Sequence, residues 1–202
     1  MADYITTDEF MSRFGITTSS ELLRIAEHVT AASRRVDEIT RRQFGPHTGD
    51  ATIRYFRPVR TGLVYIDDSY DIDEVAIDDG TGTYPTVWAT TDFETDPPNG
   101  IGPDGQDGWP ASAIRAVGDY SFSRSRRSSV KVTGKWGWAA VPAAVVEATY
   151  LIAHRLYYEV KVPGGVTPPN IDFGLPGAPL QRPYTAEALL EPFKRQRGWG
   201  VA

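Results

Sequence analysis

Two spacings of apolar residues divide the chain. From Ser19 or Ser20 onward they recur every three or four positions, at Leu22, Ile25, Val29, Ala32, Val36 and Ile39. That is one stripe on one helical face, so the segment predicts a long helix packed lengthwise on others. Arg24, Glu27, Arg34, Arg35, Glu38, Arg41 and Arg42 occupy its other side, and Phe44-Gly45-Pro46 marks its expected end. Ahead of it, Thr6-Thr7-Asp8-Glu9 has the spacing of a capping box. Phe10, Met11 and Phe14 give that short helix an apolar side, and Gly15 stops it.

From about residue 51 the period changes to two. Thr52 to Arg57, Leu63 to Ile66, Glu74 to Ile77, Thr86 to Trp88 and Val130 to Trp136 read as strands. Turn pairs stand between them at Asp79-Gly80, Asn99-Gly100 and Asp104-Gly105, and residues 96–110 hold too many Gly and Pro for regular structure. The helical period returns after Pro142, a favourable first residue for a helix running to about Tyr158. Val145, Val146, Thr149, Ile152, Ala153 and Leu156 form its broad apolar face, with Tyr150, Tyr157 and Tyr158 beside them, and this face is the natural partner of the first long stripe. Six prolines between Pro163 and Pro183 predict an extended arm. Thr185 caps a last short helix, Ala186 to about Phe193, and a basic tail follows.

The expected fold is α+β: a small helical bundle with a β-rich insertion and an extended C-terminal arm ending in a short helix. Residues 1–49 and 137–159 form the helical core, 50–136 the insertion and 160–202 the arm and terminal helix, within one domain overall.

Composition narrows the chemistry. The 202 residues include no cysteine, which excludes disulfides, thiolate nucleophiles and sulfur-bound zinc. The start Met-Ala-Asp-Tyr does not resemble a signal peptide, and no apolar run approaches a membrane span, so no membrane partner is expected. The net charge of −5 conceals an asymmetry: residues 67–107 hold 12 acids and no Lys or Arg, leaving 14 acids against 21 bases elsewhere. The ordinary meaning of such a stretch is a solvated face. Its carboxylates Asp67, Asp68, Asp71, Asp73, Asp78 and Asp79 lack the order of an EF-hand loop. His28, His47 and His154 have no metal-ligand spacing, and neither a GxSxG elbow nor a Walker A sequence occurs. Gly100-Ile-Gly102-Pro-Asp-Gly105 matches GxGxxG in letters only, because it leads into more loop and not into a helix. No catalytic residue, metal site or cofactor is therefore expected. A basic run, Arg124, Arg126, Arg127, Lys131 and Lys135, is interleaved with Phe122, Trp136 and Trp138. It suits either contact with nucleic acid or a strand with one solvated face.

The stretch VKVTGKWGWAAVPAAVVEATYLIAHRLYY, residues 130–158, resembles the head-tail connector (adaptor) proteins of long-tailed double-stranded DNA phages. In that family a strand ends in a Gly-aromatic-Gly-like turn, and a Val-Pro then opens an alanine-rich helix ending in paired aromatics. Ala31-Ala32-Ser33-Arg34-Arg35-Val36-Asp37 on a long early helix is similar to the family's start. Ala188-Leu189-Leu190-Glu191-Pro192-Phe193-Lys194-Arg195 is similar to its closing Leu-Leu-x-Pro-aromatic-basic segment. The three blocks cover about half the chain, and the β-rich insert is longer than small family members carry. The resemblance implies a structural head-completion protein made in a host bacterial cytoplasm and placed at the head-tail interface of a virion. It would form a ring of twelve copies docked on the portal protein, near double-stranded DNA in the channel, and offer a platform to the next head-completion (stopper) or tail protein. Leu189, Leu190, Phe193, Lys194, Arg195, Arg197 and Trp199 are the candidate portal-docking residues, and Arg124, Arg126, Arg127, Lys131 and Lys135 the candidate channel or interface residues. The alternatives are a DNA-binding accessory protein using segment 124–135 and a carbohydrate-active or metal-dependent hydrolase sited in the acidic insert.

Overall fold

The computed structural model describes residues 2–45, 49–103, 105–123, 128–161 and 185–195, with Val160 and Lys161 as backbone only. The chain is α+β and divides into two compact units, Met1–Arg42 with Pro142–Lys194 and Gln43–Val141 with Arg195–Ala202. The terminal helix falls in the helical unit. The Pro-rich stretch 162–184 lies outside the described residues.

The helical unit opens with α1, Thr7–Phe14. The capping box forms as spaced: the Glu9 amide donates to Thr6 Oγ1 at 3.2 Å, and the Thr6 amide to Glu9 Oε2 at 2.8 Å. Hydrogen bonds from the Thr6 backbone and side chain hold the Glu9 carboxyl below its usual range. A 3₁₀ turn, Ser19–Glu21, leads into α2, Leu22–Thr40. α2 stops at Arg41, itself left-handed at φ 57°, earlier than Phe44-Gly45-Pro46. Pro142 directly precedes α3, Ala143–Lys161, and α4 spans Ala186–Leu190, continued by a 3₁₀ turn at Glu191–Phe193.

The stripes meet as their spacing predicts. Ile25, Val29 and Ala32 of α2 pack with Tyr150, Ala153 and Tyr157 of α3, and Ile5 and Phe10 close the same cluster, with Phe14 at its margin. Phe10 lies edge-on to Tyr157 with ring centroids 6.0 Å apart, and the Tyr157 hydroxyl donates to Glu21 at the start of α2. One member of the expected stripe differs, and two polar residues outside it join the core. Leu22 is exposed, while the polar Ser33 and Thr40 are buried. Each hydroxyl donates to the carbonyl four residues back, Ser33 to Val29 at 3.0 Å and Thr40 to Val36 at 2.8 Å, so burial leaves neither unsatisfied.

The second unit is a six-stranded antiparallel sheet. Its strands are β1 (Thr52–Phe56), β2 (Leu63–Ile77), β3 (Thr86–Trp88), β4 (Phe93–Asp96), β5 (Ala111–Ala116) and β6 (Val130–Trp136). The order is β1-β6-β2-β5-β4, with β3 paired to the far half of β2. β6 alternates strictly, burying Val130, Val132, Gly134 and Trp136. Opposite it, Val75 faces Val132 and Ile77 faces Val130, while Val64 faces Ile114. These side chains join Trp88 and Phe122 in one core.

The two strands expected at Leu63–Ile66 and Glu74–Ile77 are one strand. Register shifts between Ser69 and Asp71 and between Ile72 and Glu74 carry it through the acids. Gly134 makes that crossing possible: a Cβ there would stand 2.5 Å from the Asp71 carbonyl oxygen, and no rotamer change moves a backbone atom aside. β4 and β5 are additional to the strands read from sequence. The loop after β4 is ordered around Trp109, which is buried and whose amide donates to the Gly100 carbonyl at 2.9 Å. Gly102 lacks the side chain that would overlap the Trp109 indole. The GxGxxG letters fall in this loop, whose 3₁₀ turn Pro98–Gly100 opens no helix, and Asp104 lies outside the described residues.

Candidate functional site

The C-terminal segment presents two kinds of residue. Thr185 accepts the Ala188 amide at 3.2 Å and so fixes the start of α4. From there Leu190 and Phe193 are buried at 0% and 4% exposure, and Leu189 is half-buried. The Arg42 Nε donates to the Phe193 carbonyl at 2.9 Å. Leu190 and Phe193 therefore hold the segment on the helical unit, which packs α4 against α3 and α2. Lys194 pairs with Glu191 one turn back. Arg195 donates to the Ile66 carbonyl at 2.9 Å and stands 3.4 Å from the Asp68 carboxylate, which is itself buried at 7%. Arg197 and Trp199 lie outside the described residues.

The basic run does not come together as a free cationic surface in its described part. Lys131 pairs with Glu74 at 2.8 Å and Lys135 with Asp71 at 3.3 Å, both across the β6–β2 ladder. The Asp71 hydrogen bond and charge raise the Lys135 ammonium above its usual value. Either lysine must give up a carboxylate before meeting a phosphate. Arg124, Arg126 and Arg127 lie outside the described residues. Of the interleaved aromatics, Phe122, Trp136 and Trp138 are buried and offer no stacking platform.

The acidic insert resolves into turns and cross-strand pairs. Asp78 accepts the Gly80 and Gly82 amides at 3.0 and 2.9 Å. Asp79 accepts from Thr81 and Thr83, and those bonds lower its carboxyl to about 2. Asp67 binds Arg54 at 2.6 Å, and Asp96 binds Arg115 at 2.5 Å. Among the described residues no three His or carboxylate side chains are grouped as a metal site. His154 lies between Phe14 and Tyr158, each ring 4.4 Å away, and burial lowers its pKa. His47 lies outside the described residues. Among the described residues no helix is long and apolar enough to cross a membrane.

Sequence reasoning missed a second stripe on α2. Leu23, Ala26, Glu27, Thr30 and Ala31 line a shallow, mostly apolar depression on the side of the helix away from its core, and Leu23 is 76% exposed. The signal was present at the spacing 23, 26, 27, 30 and 31, masked by the charges beside it. It also missed the open β1 edge, where Ile53 and Tyr55 are exposed.

No family model matches the chain, and no curated protein is significantly similar to it. Solved structures share its fold over nearly its whole length. A chain in the neck of an empty gene transfer agent (GTA) particle, computed with C6 symmetry, superposes with a TM-score of 0.58 at 16% identity, covering 98% of this chain and 93% of that one. A chain in the neck of the native GTA particle, computed with C12 symmetry, gives 0.54 at 16% identity, covering 96% and 91%. A chain of the native GTA virion gives 0.52 at 18% identity, covering 98% and 93%. The fold is therefore shared with neck and virion chains of gene transfer agent particles.

Proposed function

We propose that this chain is a structural neck protein of a tailed phage or phage-like particle, a ring-forming adaptor without enzymatic activity that docks on the portal, extends the DNA channel and carries the next connector or tail protein. The observation that supports it most is end-to-end correspondence with neck chains: more than nine tenths of both partners align. The C12 and C6 symmetries of those necks favour twelve copies or a sixfold arrangement of them. In this reading Leu190 and Phe193 anchor the terminal segment on its own subunit, and Leu189, Lys194, Arg197 and Trp199 supply its contact with the portal. Arg195 supports them from its pairing with Asp68. Many modest contacts repeated around a ring give firm attachment.

The test is electron microscopy of the purified full chain, alone and mixed with its portal protein. Rings of one copy number seated on the portal are expected. Removing residues 196–202 leaves the anchor in place and is expected to abolish seating without unfolding the chain. A chain that neither assembles nor binds portal, or one that turns over a substrate in the neck's absence, overturns the reading.

A further inference from the structure

The five-strand path ends in two strands that, among the described residues, hydrogen-bond on one side only, and β3, off that path, pairs with β2 alone. β1 pairs with β6 and β4 with β5, and among the described residues nothing pairs with the outer side of either. Open edges are ordinarily blunted by bulges, prolines or lysines, because bare backbone amides and carbonyls recruit another strand. Within its five residues β1 carries no bulge, proline or lysine, whereas β4 is short and acidic and is followed by Pro97. β1 keeps an unbroken register from Thr52 opposite Gly134 to Phe56 opposite Val130. β4 keeps one from Phe93 opposite Ala116 to Asp96 opposite Ala113. On β1, Ile53 and Tyr55 are 51% and 55% exposed.

The two edges differ in charge and agree in direction. Beside β1 stand Arg54, Arg57 and Arg60; beside β4 stand Asp92, Glu94 and Asp96. Arg54 is bound by Asp67 and Asp96 by Arg115, which leaves Arg57, Arg60 and Glu94 exposed and, among the described residues, without an ion-pair partner. Every neighbouring pair along the five-strand path is antiparallel, so its first and last strands point the same way. Tyr55 opposite Lys131 puts Tyr55, and by alternation Arg57, on the face away from Val130 and Val132. Glu94 opposite Arg115 puts Glu94 on that same face, away from Ile114. Arg57 lies one position beyond the end of β1, and Pro58 biases it to extended backbone that continues the alternation.

We propose that copies of this chain join edge to edge, with β4 of one copy pairing in parallel with β1 of the next and Glu94 facing Arg57 across the joint. This rests on the ring reading above. The occupant of the β1 edge is a second copy because that copy brings the complementary edge, matched in charge, direction and face. Twofold pairing of β1 with β1 sets arginines against arginines. A joint between two different patches propagates, and closes into a ring when its rotation divides the circle.

The chain has no cysteine, so introduced thiols report without background. Adjacent strands lie about 4.8 Å apart, inside the range a disulfide spans. Mild oxidation of full-length Tyr55→Cys/Glu94→Cys, and of Arg57→Cys/Glu94→Cys, is expected to give in at least one of them a ladder of covalent multimers up to the ring's copy number. The single variants should give none. Glu94→Arg should reduce assembly at least tenfold in concentration, and adding Arg57→Glu should restore it. Rings seen by microscopy in both double variants without any ladder overturn the edge joint and leave the ring standing. A covalent dimer from Tyr55→Cys alone overturns it in favour of twofold pairing. Monomers at every concentration, with and without portal, overturn both readings.

Discussion

Phe193→Ala separates an anchored terminal helix from a free one. The ring is 4% exposed in the helical unit, and its truncation removes burial worth about 1.5–3 kcal/mol plus a cavity term, together about 3–5 kcal/mol if the surroundings hold still. They need not hold still. α4 has five residues, far below the roughly 12–15 at which an isolated helix becomes even marginal, so its order depends on Leu190 and Phe193. A variant that loses one anchor can release the segment, and its stability then falls no further than that of a chain lacking residues 185–202. The expected order of denaturation midpoints, followed by the far-UV helical signal, is wild type above Phe193→Ala, with Phe193→Ala at or slightly above the truncated chain. At about 3 kcal/mol the melting temperature drops by roughly 6–12 °C for a chain of this size. Leu190→Ala/Phe193→Ala should match the truncation, because both anchors are then gone. Melting of Phe193→Ala within about 1 °C of wild type refutes the anchoring, and a loss well beyond that of the truncation refutes the bound.

Two further outcomes follow from the packing. Gly134→Ala should destabilise the sheet by about 1–3 kcal/mol, because the new Cβ meets the Asp71 carbonyl at 2.5 Å; tryptophan fluorescence during urea unfolding reads this, and an unchanged midpoint refutes it. Burial holds His154 below its ordinary value, so the unfolded chain takes up the proton first as pH falls below about 6.5 and stability declines with it. His154→Gln should flatten that decline below about pH 6.5 in denaturant midpoints; an identical slope in the variant refutes it.

The helical unit was legible because its physics is local and periodic. Val29 and Ala153 announce their burial by spacing, Thr6 and Thr185 announce helix starts by position, and the structure needs little beyond them. Thr40 was missed because a hydroxyl that bonds its own helix is as acceptable in the core as a small apolar group. The sheet was half legible. β2 reads as two strands because its bulges reset the period-two pattern within Asp67–Asp73, and the buried carboxylate of Asp68 meets Arg195, 127 residues away in sequence. β5 hides because Ala111, Ala113 and Ala116 carry little strand propensity, and β4 because four residues containing Glu94 and Asp96 show no alternation. The basic run was legible as charge but not as pairing: that Lys131 meets Glu74 and Lys135 meets Asp71 depends on a register no single sequence displays.

The fifteen residues of β2 give the second unit a mechanical axis. Its hydrogen bonds run across the strand, to β6 on one side and to β5 and β3 in succession on the other. Tension applied along Leu63–Ile77 loads those bonds in shear, so they share the force and must yield nearly together. β4, four residues held from one side, peels bond by bond from its end. Pulling on the chain should therefore strip the rim of the sheet at low force and leave β2 with β6 as the last element to rupture, a graded resistance set by strand length and position rather than by any single strong contact.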